Sequence, residues 1–485
     1  MKRWWILLFS ALILAGAAML ALAPATTVHA APRDPRLAKA YRFEQGLWTY
    51  VHLEGDPRTI GFQHGYLLAP EIADALAALK IEKEHSSGKS WEWFRTAAHE
   101  VLWPHIDAEY QQELQGIAEG VRAHGVPGID RDDVVALNAM EELADYYLPW
   151  LQKKEGKDKT AGIPHPKAPG NCSAFVATGS YTKGHQVVIA HNNWTNYMAG
   201  ERWRMMFDIV PAKGYRMLMD GFPGIIISDD DFGVSAAGII VTETTITQFE
   251  GFDPNGKAEF ARARKALQYA NSIDDYVKIM LDGNNGGYAN DWLLADRKTG
   301  EVARFENGLK HSRVWRTKDG YFVGSNFPSD PELIRDETPQ FNVHDMSSSP
   351  NARHVRWDQL MQEYKGRIDV DLAQKFLGDH FDSYEKKEQA SERALCGHVD
   401  TVQRGIPQWG WGAFFDGGAV QGKATDGALA EKMSLYARAG HPCGADFLAQ
   451  PWLAQHGEYA WQKPVLRDMK AGPWTLFRSG QQKPQ

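Results

Sequence analysis

The chain has 485 residues, of which 43% are hydrophobic and 24% are charged, and its net charge is −8. This composition is typical of a globular protein with a sizeable core. The length predicts two to four domains, or one large elaborated domain. Positive and negative charges are interspersed without a basic stripe, which argues against nucleic acid as a partner.

The N-terminus has the three parts of a secretory signal peptide. A short basic stretch, MKR, precedes a long apolar run, and the small-x-small sequence Val28-His29-Ala30 follows. The sequence therefore predicts cleavage after Ala30 and a mature protein that is secreted or periplasmic. An uncleaved membrane anchor is the alternative, because the apolar run approaches the length of a bilayer span.

The first part of the mature chain is predicted to be mainly helical. Residues 46–65 have the pattern of a strand, a turn and a second strand. Apolar spacing and terminal signals predict helices at residues 69–85, 108–125 and 130–152. A polar, Lys-, Gly- and Pro-rich stretch at residues 152–171 then predicts an exposed connection.

From Cys172 onward, runs of strands alternate with runs of helices. Strands are predicted at residues 172–178, 185–194, 215–221, 224–228 and 233–246. A helical stretch at residues 257–283 precedes a meander over residues 291–307 and 312–327, and helices return at residues 351–366 and 369–381. Strands in runs and helices in runs predict an α+β fold rather than alternating βαβ units.

Three cysteines occur in the whole chain. Cys396 and Cys443 lie in glycine-flanked, loop-like sequences, and in an oxidising compartment they are predicted to form a disulfide. Cys172 is then left over. An unpaired cysteine in a secreted protein indicates either an intermolecular partner or a reactive thiol.

Cys172 lies where the polar connection becomes a strand, in GNCSAFVATG. If the chain breaks between Asn171 and Cys172, a free α-amino group with a pKa of about 7.7–8.0 stands beside the thiol. It can serve as general base for that thiol, as in N-terminal nucleophile enzymes. The break needs no protease, because the thiol can attack the Asn171 carbonyl and water can hydrolyse the resulting thioester.

Four segments carry a resemblance to a known family: GNCSAFVATG, VVIAHNNWTNY, GVSAAGIIVTETTI and NDWLLADRKTGEVARFENGLK. They resemble the phospholipase B-like family, which is related to acyl-coenzyme A:6-aminopenicillanic-acid acyltransferases, acid ceramidase and choloylglycine hydrolases. The resemblance extends to the upstream helices. It implies a four-layer αββα N-terminal nucleophile fold, self-cleavage before Cys172, and hydrolysis of an amide or carboxylic ester bond.

The resemblance also implies roles for residues near Cys172, which corresponds to the nucleophile. Asn192 and Thr195 occupy positions where relatives carry an arginine and an aspartate. A neutral pair cannot form an ion pair with the α-amine, so Thr195 and His191 are expected to orient it by hydrogen bonds. Asn193 and Trp194 complete this part of the expected site, or serve as packing at the end of the strand.

Later residues supply the rest of the expected site. Thr244 or Thr245 takes an oxyanion or substrate-binding role, and Asn326 is a donor whose contribution to the oxyanion would be about 3 kcal/mol. Arg353 corresponds to a distant catalytic arginine, with Arg356 as its rival. Glu243 is either a partner of Arg353 or a solvated edge charge. Asn290, in NDWLLAD, is a further substrate-site candidate or a turn residue.

These expectations define one predicted function and two alternatives. The chain is expected to divide into a signal peptide (residues 1–30), a helical N-terminal segment and linker released from the chain by self-cleavage (residues 31–171), and a catalytic core (residues 172–485). The two pieces are expected to stay associated and to hydrolyse a small-molecule or lipid acyl substrate without cofactor or metal. The alternatives are an N-acyl amidase or acyltransferase, and a non-catalytic secreted binding protein.

Overall fold

The computed structural model describes residues 34–156, 172–227 and 232–482. The predicted signal peptide and residues 157–171 of the polar connection, including Asn171, lie outside these residues. In chain order the strands are β1 (Tyr41–Gln45), β2 (Trp48–Gly55), β3 (Ser173–Thr178), β4 (Val188–Asn196), β5 (Met205–Pro211), β6 (Met217–Gly221), β7 (Gly233–Ser235), β8 (Ile239–Thr245), β9 (Asn290–Asp296), β10 (Glu301–Asn307), β11 (Ser312–Thr317), β12 (Gly320–Gly324), β13 (Phe381–Asp382), β14 (Lys387–Glu388), β15 (Gly417–Asp426), β16 (Ser434–Ala439) and β17 (Thr475–Arg478).

The α-helices are the other principal elements. In chain order they are α1 (Pro57–Leu67), α2 (Ala69–Ser87), α3 (Trp91–Ala97), α4 (Ala108–His124), α5 (Arg131–Asn138), α6 (Leu148–Lys154), α7 (Tyr197–Gly200), α8 (Glu259–Tyr269), α9 (Ile273–Leu281), α10 (Pro331–Glu337), α11 (Ser349–Glu363), α12 (Val370–Leu377), α13 (Gly427–Glu431) and α14 (Ala449–Gln455). None of the helices in the described part of the chain is both long and apolar enough to cross a membrane.

Two large sheets form the centre of the molecule. The first has nine strands in the order β1-β2-β5-β6-β7-β8-β9-β10-β11, and the second has six in the order β12-β3-β4-β15-β16-β17. The pair β2–β5 is parallel, whereas the other neighbouring pairs within these two sheets are antiparallel. The N-terminal segment therefore supplies two strands to the first sheet as well as its helices.

Three apolar clusters show how the sheets and helices are layered. Trp48 and Leu293 of the first sheet pack against Ile189 and Leu435 of the second, so the sheets face each other. Helices including α1, α2, α4 and α8 cover the outer face of the first sheet. Helices α11 and α12 cover the outer face of the second. The predicted α+β class and the four-layer αββα sandwich are thus confirmed.

One predicted strand is a helix. Residues 58–65 belong to α1, because Asp56 caps its N-terminus by accepting a hydrogen bond from the Thr59 N–H, and Pro57 stands at the first helical position. A capping aspartate followed by proline is a strong helix-start signal. The apolar residues of this stretch therefore face the core with helical periodicity.

Two further local predictions are wrong. Residues 224–227 form a turn instead of a strand, because the Ile225 N–H donates to the Phe222 carbonyl and Gly224 has φ +88°. The meander also does not continue from β11 to β12. Strand β11 pairs with β10 in the first sheet, whereas β12 crosses to the second sheet and pairs with β3.

Candidate active site

Cys172 lies directly before β3 and is fully buried. Its φ is +82°, in the left-handed region that cysteine rarely adopts. Such a conformation costs on the order of 1–3 kcal/mol and is found where surrounding structure enforces it, often at active sites. The strained residue is the one that follows the predicted scissile bond, although Asn171 itself lies outside the described residues.

A carboxylate and an imidazole lie beside the thiol. The Cys172 Sγ is 3.9 Å from Glu243 Oε1, and the Tyr288 hydroxyl donates to the same oxygen at 3.4 Å. The thiol sulfur, a ring nitrogen of His191 and a Glu243 carboxylate oxygen all lie within 4.8 Å of one another. Glu243 is buried, so it is not a solvated edge charge. It is placed to accept the thiol proton.

His191 is held in its neutral form by its surroundings. Burial is the largest cause, and the nearby Lys423 ammonium adds to it, so that the pKa of His191 falls well below its usual value. Lys423 lies directly opposite His191 in the β4–β15 register. Its ammonium donates to Asp220 at 3.0 Å, and both members of that pair are fully buried.

Arg353, on α11, links the backbone of Cys172 to the side chains of Asn326 and Ser349. Its Nη1 donates to the Cys172 carbonyl at 2.6 Å, its Nη2 to Asn326 Oδ1 at 2.6 Å and its Nε to Ser349 Oγ at 3.0 Å. The guanidinium also lies 4.4 Å from the Trp194 ring centroid. Burial lowers the pKa of Arg353 to about 9. No carboxylate among the described residues forms an ion pair with it, so its charge favours a negative charge developing at Cys172.

Asn326 follows β12 and has φ +69°, a region that asparagine tolerates better than most residues. Its Nδ2 donates to the Thr245 carbonyl at 2.8 Å, while its Oδ1 accepts from Arg353. Asn326 thus joins the end of β8 to α11 next to Cys172. The predicted oxyanion donor and the predicted catalytic arginine are in direct contact.

Several buried polar atoms near this position make no hydrogen bond of normal geometry within the described chain. They belong to His191, Asn193, Thr244, Thr245 and Asn290. Asn290 lies opposite Thr245 in the β8–β9 register. Buried polar groups are normally satisfied, so these atoms are available to bind a substrate or an ordered water.

One predicted residue, Asn192, lies away from the thiol. Side chains alternate along a strand. Because His191 pairs with Ala174 on the face between the sheets, Asn192 points to the opposite face. There its Nδ2 donates to the Leu377 and Leu395 carbonyls at 2.7 and 3.0 Å. Thr195, near the end of β4, lines a cleft.

That cleft has a volume of about 640 Å³ and lies between the N-terminal segment and the core. Helices α2 and α6 contribute to one wall, and residues 409–413 and 458–462 contribute to another. Trp409 lines the cleft and also lies 5.9 Å from the Arg353 guanidinium. The volume is in the range of small-molecule sites, which makes this cleft the candidate approach for a substrate.

Four residues of the site are absent from the sequence-based expectations: Tyr288, Ser349, Trp409 and Lys423. Lys423 carries a detectable signal, because a lysine within a run of small and uncharged residues, GGAVQGKAT, is unusual. The other three have no distinctive pattern. Their roles follow from contacts between residues far apart in the chain.

The predicted disulfide is not formed in the structure. Cys396 and Cys443 are both free thiols. The two sulfurs converge on an imidazole instead of bonding to each other, since His398 Nε2 lies 3.7 Å from Cys396 Sγ and 3.5 Å from Cys443 Sγ.

Comparison with known proteins identifies a family. The family model described as Phospholipase B matches residues 82–350, more than half of the chain. The phospholipase B of Crotalus adamanteus is 23% identical over 437 residues, covering 79% of this chain and 75% of the snake protein. Phospholipase B-like 1 of Bos taurus is 23% identical over 264 residues, covering 49% of this chain and 48% of the bovine protein.

An uncharacterised protein of Archaeoglobus fulgidus is also similar, with 25% identity over 295 residues. That alignment covers 55% of this chain and 44% of the archaeal protein. The chain therefore spans less than half the length of the archaeal and bovine relatives. Among solved structures, a mutant of the conjugated bile acid hydrolase from Clostridium perfringens matches with 13% identity and a TM-score of 0.33, covering 55% of this chain and 89% of that one. Penicillin V acylase from Agrobacterium tumefaciens matches with 13% identity and a TM-score of 0.32, covering 55% and 83%.

Proposed function

The chain belongs to the phospholipase B family, and on this premise we propose that it is a self-processing hydrolase of carboxylic ester or amide bonds whose nucleophile is Cys172. The observation that carries the proposal is the setting of Cys172. The residue is strained and buried, its thiol faces Glu243, and its carbonyl is held by Arg353.

The first step of the proposed mechanism cuts the chain. Glu243 takes the thiol proton, and the Cys172 sulfur attacks the Asn171 carbonyl carbon. The C–N bond then breaks, and its nitrogen takes a proton and becomes the α-amine of Cys172. Water hydrolyses the thioester to the Asn171 carboxylate and a free thiol. The left-handed φ of Cys172 supports this step, because strain at the reacting peptide is relieved when the bond breaks.

The second step is the reaction on substrate. The new α-amine accepts the thiol proton, the thiolate attacks the acyl carbonyl, and the proton passes to the departing alcohol or amine. Water then hydrolyses the acyl–Cys172 intermediate to the free acid. The oxyanion is stabilised by hydrogen-bond donors of Asn326 and of Thr244 or Thr245. His191 is assigned no proton-transfer role in this scheme, because burial and the nearby Lys423 ammonium lower its pKa and keep it neutral.

Processing is also proposed to open the site. Cys172 is fully buried in the continuous chain, so a substrate has no access to the thiol before cleavage. The cleft between the N-terminal segment and the core includes Gln152, close to where the described part of that segment ends at residue 156. Cleavage before Cys172 is proposed to give a substrate in this cleft access to the thiol. Secretion, with removal of residues 1–30, belongs to the same proposal and lies outside the described residues.

The intact mass of the purified chain tests the nucleophile. Under denaturing and reducing conditions the wild type is expected to give two fragments, the larger beginning at Cys172, and Cys172→Ala is expected to stay uncut. Ser173→Ala is the matched control. It keeps the thiol and removes only the neighbouring hydroxyl, which accepts from Trp357 Nε1 at 2.9 Å, so it should be cut.

The outcome decides between the candidate functions. A wild-type chain that stays whole, like Cys172→Ala, contradicts the proposal and favours the non-catalytic binding protein. If cleavage occurs, release of fatty acid from a glycerophospholipid and from an N-acyl amide is compared. An added amine that captures the acyl group in place of water would identify the acyltransferase alternative. Both activities must disappear when Cys172 is alkylated.

A further inference from the structure

A second cluster of reactive side chains lies outside the site described above. It consists of His380 after α12, Cys396 and His398 in the following loop, and Cys443 after β16. Three separate stretches of chain therefore converge on one point. One ligand atom from each of the four residues lies within 4.8 Å of the other three.

The distances from His398 to the two sulfurs fit a tetrahedral metal site. With Zn–S near 2.3 Å and Zn–N near 2.0–2.1 Å, neighbouring ligand atoms of a tetrahedral site are about 3.3–3.8 Å apart. His398 Nε2 lies 3.7 Å from Cys396 Sγ and 3.5 Å from Cys443 Sγ. A disulfide requires the sulfurs to approach to about 2.05 Å, and it gives no reason for two histidines at the same point.

The surroundings provide the support that metal ligands need. Cys396 is fully buried and His398 is 5% exposed, while His380 and Cys443 are half-buried. The Nε2 atom of His380 is shielded from solvent and makes no hydrogen bond of normal geometry within the described chain. The Ala445 N–H points at Cys443 Sγ from 3.5 Å, a contact that stabilises a thiolate. The His441 ring stacks on His398 at 4.0 Å and fixes its plane.

We propose that His380, Cys396, His398 and Cys443 bind a divalent zinc ion. Two thiolates and two neutral imidazoles are a standard zinc ligand set, and the two negative sulfurs balance the charge of the ion. Binding releases the two thiol protons and involves no redox step. Because all four positions are filled by protein ligands, the site is structural: it holds three stretches of chain together.

The proposed ion lies in a segment that supports the nucleophile. Trp194 Nε1 and Asn192 Nδ2 donate to the Leu395 carbonyl, and a Cβ at Gly397 would come within 2.1 Å of the Trp194 ring. Trp194 in turn packs under the Arg353 guanidinium. Fixing residues 396–398 therefore fixes the aromatic surface against which Arg353 holds Cys172.

Metal content and cobalt spectra of the full chain test this proposal. The chain is purified in a reducing buffer, stripped with a chelator and titrated with Zn²⁺ or Co²⁺. One ion per chain is expected, with the thiolate-to-cobalt absorption of a tetrahedral sulfur-ligated site and a rise in Tm. Cys443→Ser is expected to abolish the thiolate-to-cobalt band and the rise in Tm. Cys172→Ala is the matched control, because Cys172, His191 and Glu243 also form a cluster, and it should bind as the wild type does.

A measurement on the wild type alone covers the case in which Cys443→Ser does not fold. Alkylation mapped by mass spectrometry should show Cys396 and Cys443 protected by Zn²⁺ and exposed after chelation. Failure of the reduced chain to bind either ion overturns the proposal. So does binding that survives Cys443→Ser, or a Cys396–Cys443 disulfide in the protein as isolated, since the same sulfurs cannot serve both bonds.

Discussion

At the scale of single residues, Arg353 combines charge, burial and position in an unusual way. It is fully buried, and its three donor nitrogens go to a backbone carbonyl, an amide and a hydroxyl instead of to a carboxylate. A buried cation of this kind is costly unless a negative charge forms nearby. A thiolate or oxyanion at Cys172 is such a charge, which gives a physical reason for burying the arginine here.

The substitution Arg353→Lys tests this role. Lysine keeps the charge but cannot span the Cys172 carbonyl, Asn326 and Ser349 together. We expect self-cleavage to slow by about 10²–10³-fold, the effect of losing one preorganised stabiliser of the reacting charge. The measurement is the rate at which the two fragments appear after synthesis.

Arg356→Lys is the control for Arg353→Lys. Arg356 lies on the same helix, but its guanidinium binds Asp379 through two hydrogen bonds. We therefore expect near-normal cleavage for this variant. Equal slowing by both substitutions would contradict the assignment, because the effect would then come from the stability of α11 and not from contact with Cys172.

The sequence identified some of these residues for reasons that the structure explains. Cys172 was detectable as a candidate because it lies where a polar connection becomes a strand and within a family motif. The contact of Tyr288 with Glu243 could not be predicted from the sequence, because 45 residues separate them in the chain. A tyrosine before a strand also commonly serves only in packing.

At the scale of elements, a close helix–helix contact in the N-terminal segment joins α1 to α4. Gly61 and Gly65 of α1 face Gly116 and Gly120 of α4, and added Cβ atoms at these positions would come within 1.9–2.5 Å of backbone atoms on the other helix. Small residues four apart on both helices allow the two backbones to approach closely. This contact places β2, which precedes α1, against the rest of the first sheet.

We expect Gly61→Ala to lower the free energy of unfolding by about 1–3 kcal/mol, because the new methyl group meets the Glu113 carbonyl and backbone cannot yield as a side chain does. Denaturant unfolding with an unchanged m-value is the measurement. Gly457→Ala is the control, since no atom lies within 4 Å of its added Cβ. A neutral Gly61→Ala would show that the two helices separate more easily than their spacing indicates.

Helices and strands were predicted correctly where the local sequence signals agreed. They were predicted wrongly where two local signals conflicted or where no local signal exists. Helix α4 ends at Gly125 in a left-handed conformation, as a C-terminal glycine predicts. Apolar and polar residues alternate over residues 58–65 in a way that suggests a strand. The Asp56 cap and Pro57 instead start a helix there. The pairing of β12 with β3 has no local signal, because it depends on which sheet the chain enters after β11.

At the scale of the whole molecule, the N-terminal segment and the core share one structure. Strands β1 and β2 extend the first sheet, with β2 paired along its length to β5. Val51 and Leu114 of the segment are part of the same apolar cluster as Phe207 and Leu294 of the core. A cut before Cys172 therefore leaves a large apolar interface and a strand pairing intact.

We expect the two pieces of the cleaved chain to remain together as one particle. Native mass spectrometry or gel filtration should show both fragments in a single species, and denaturant should separate them only as the whole fold unfolds. The uncut Cys172→Ala chain is the reference for size. Fragments that separate in native buffer would contradict this interpretation of the shared sheet.

The sequence by itself determined the αββα class, most helices and the identity of the candidate nucleophile, because periodicity, end signals, cysteine position and family motifs are local properties. Only the tertiary structure decided which residues meet. It directs Asn192 away from the thiol by strand alternation and brings Glu243 and Arg353 to Cys172 from distant elements. It also places Cys396 and Cys443 beside two histidines. Such meetings depend on sheet order and on packing between layers, which no local pattern encodes.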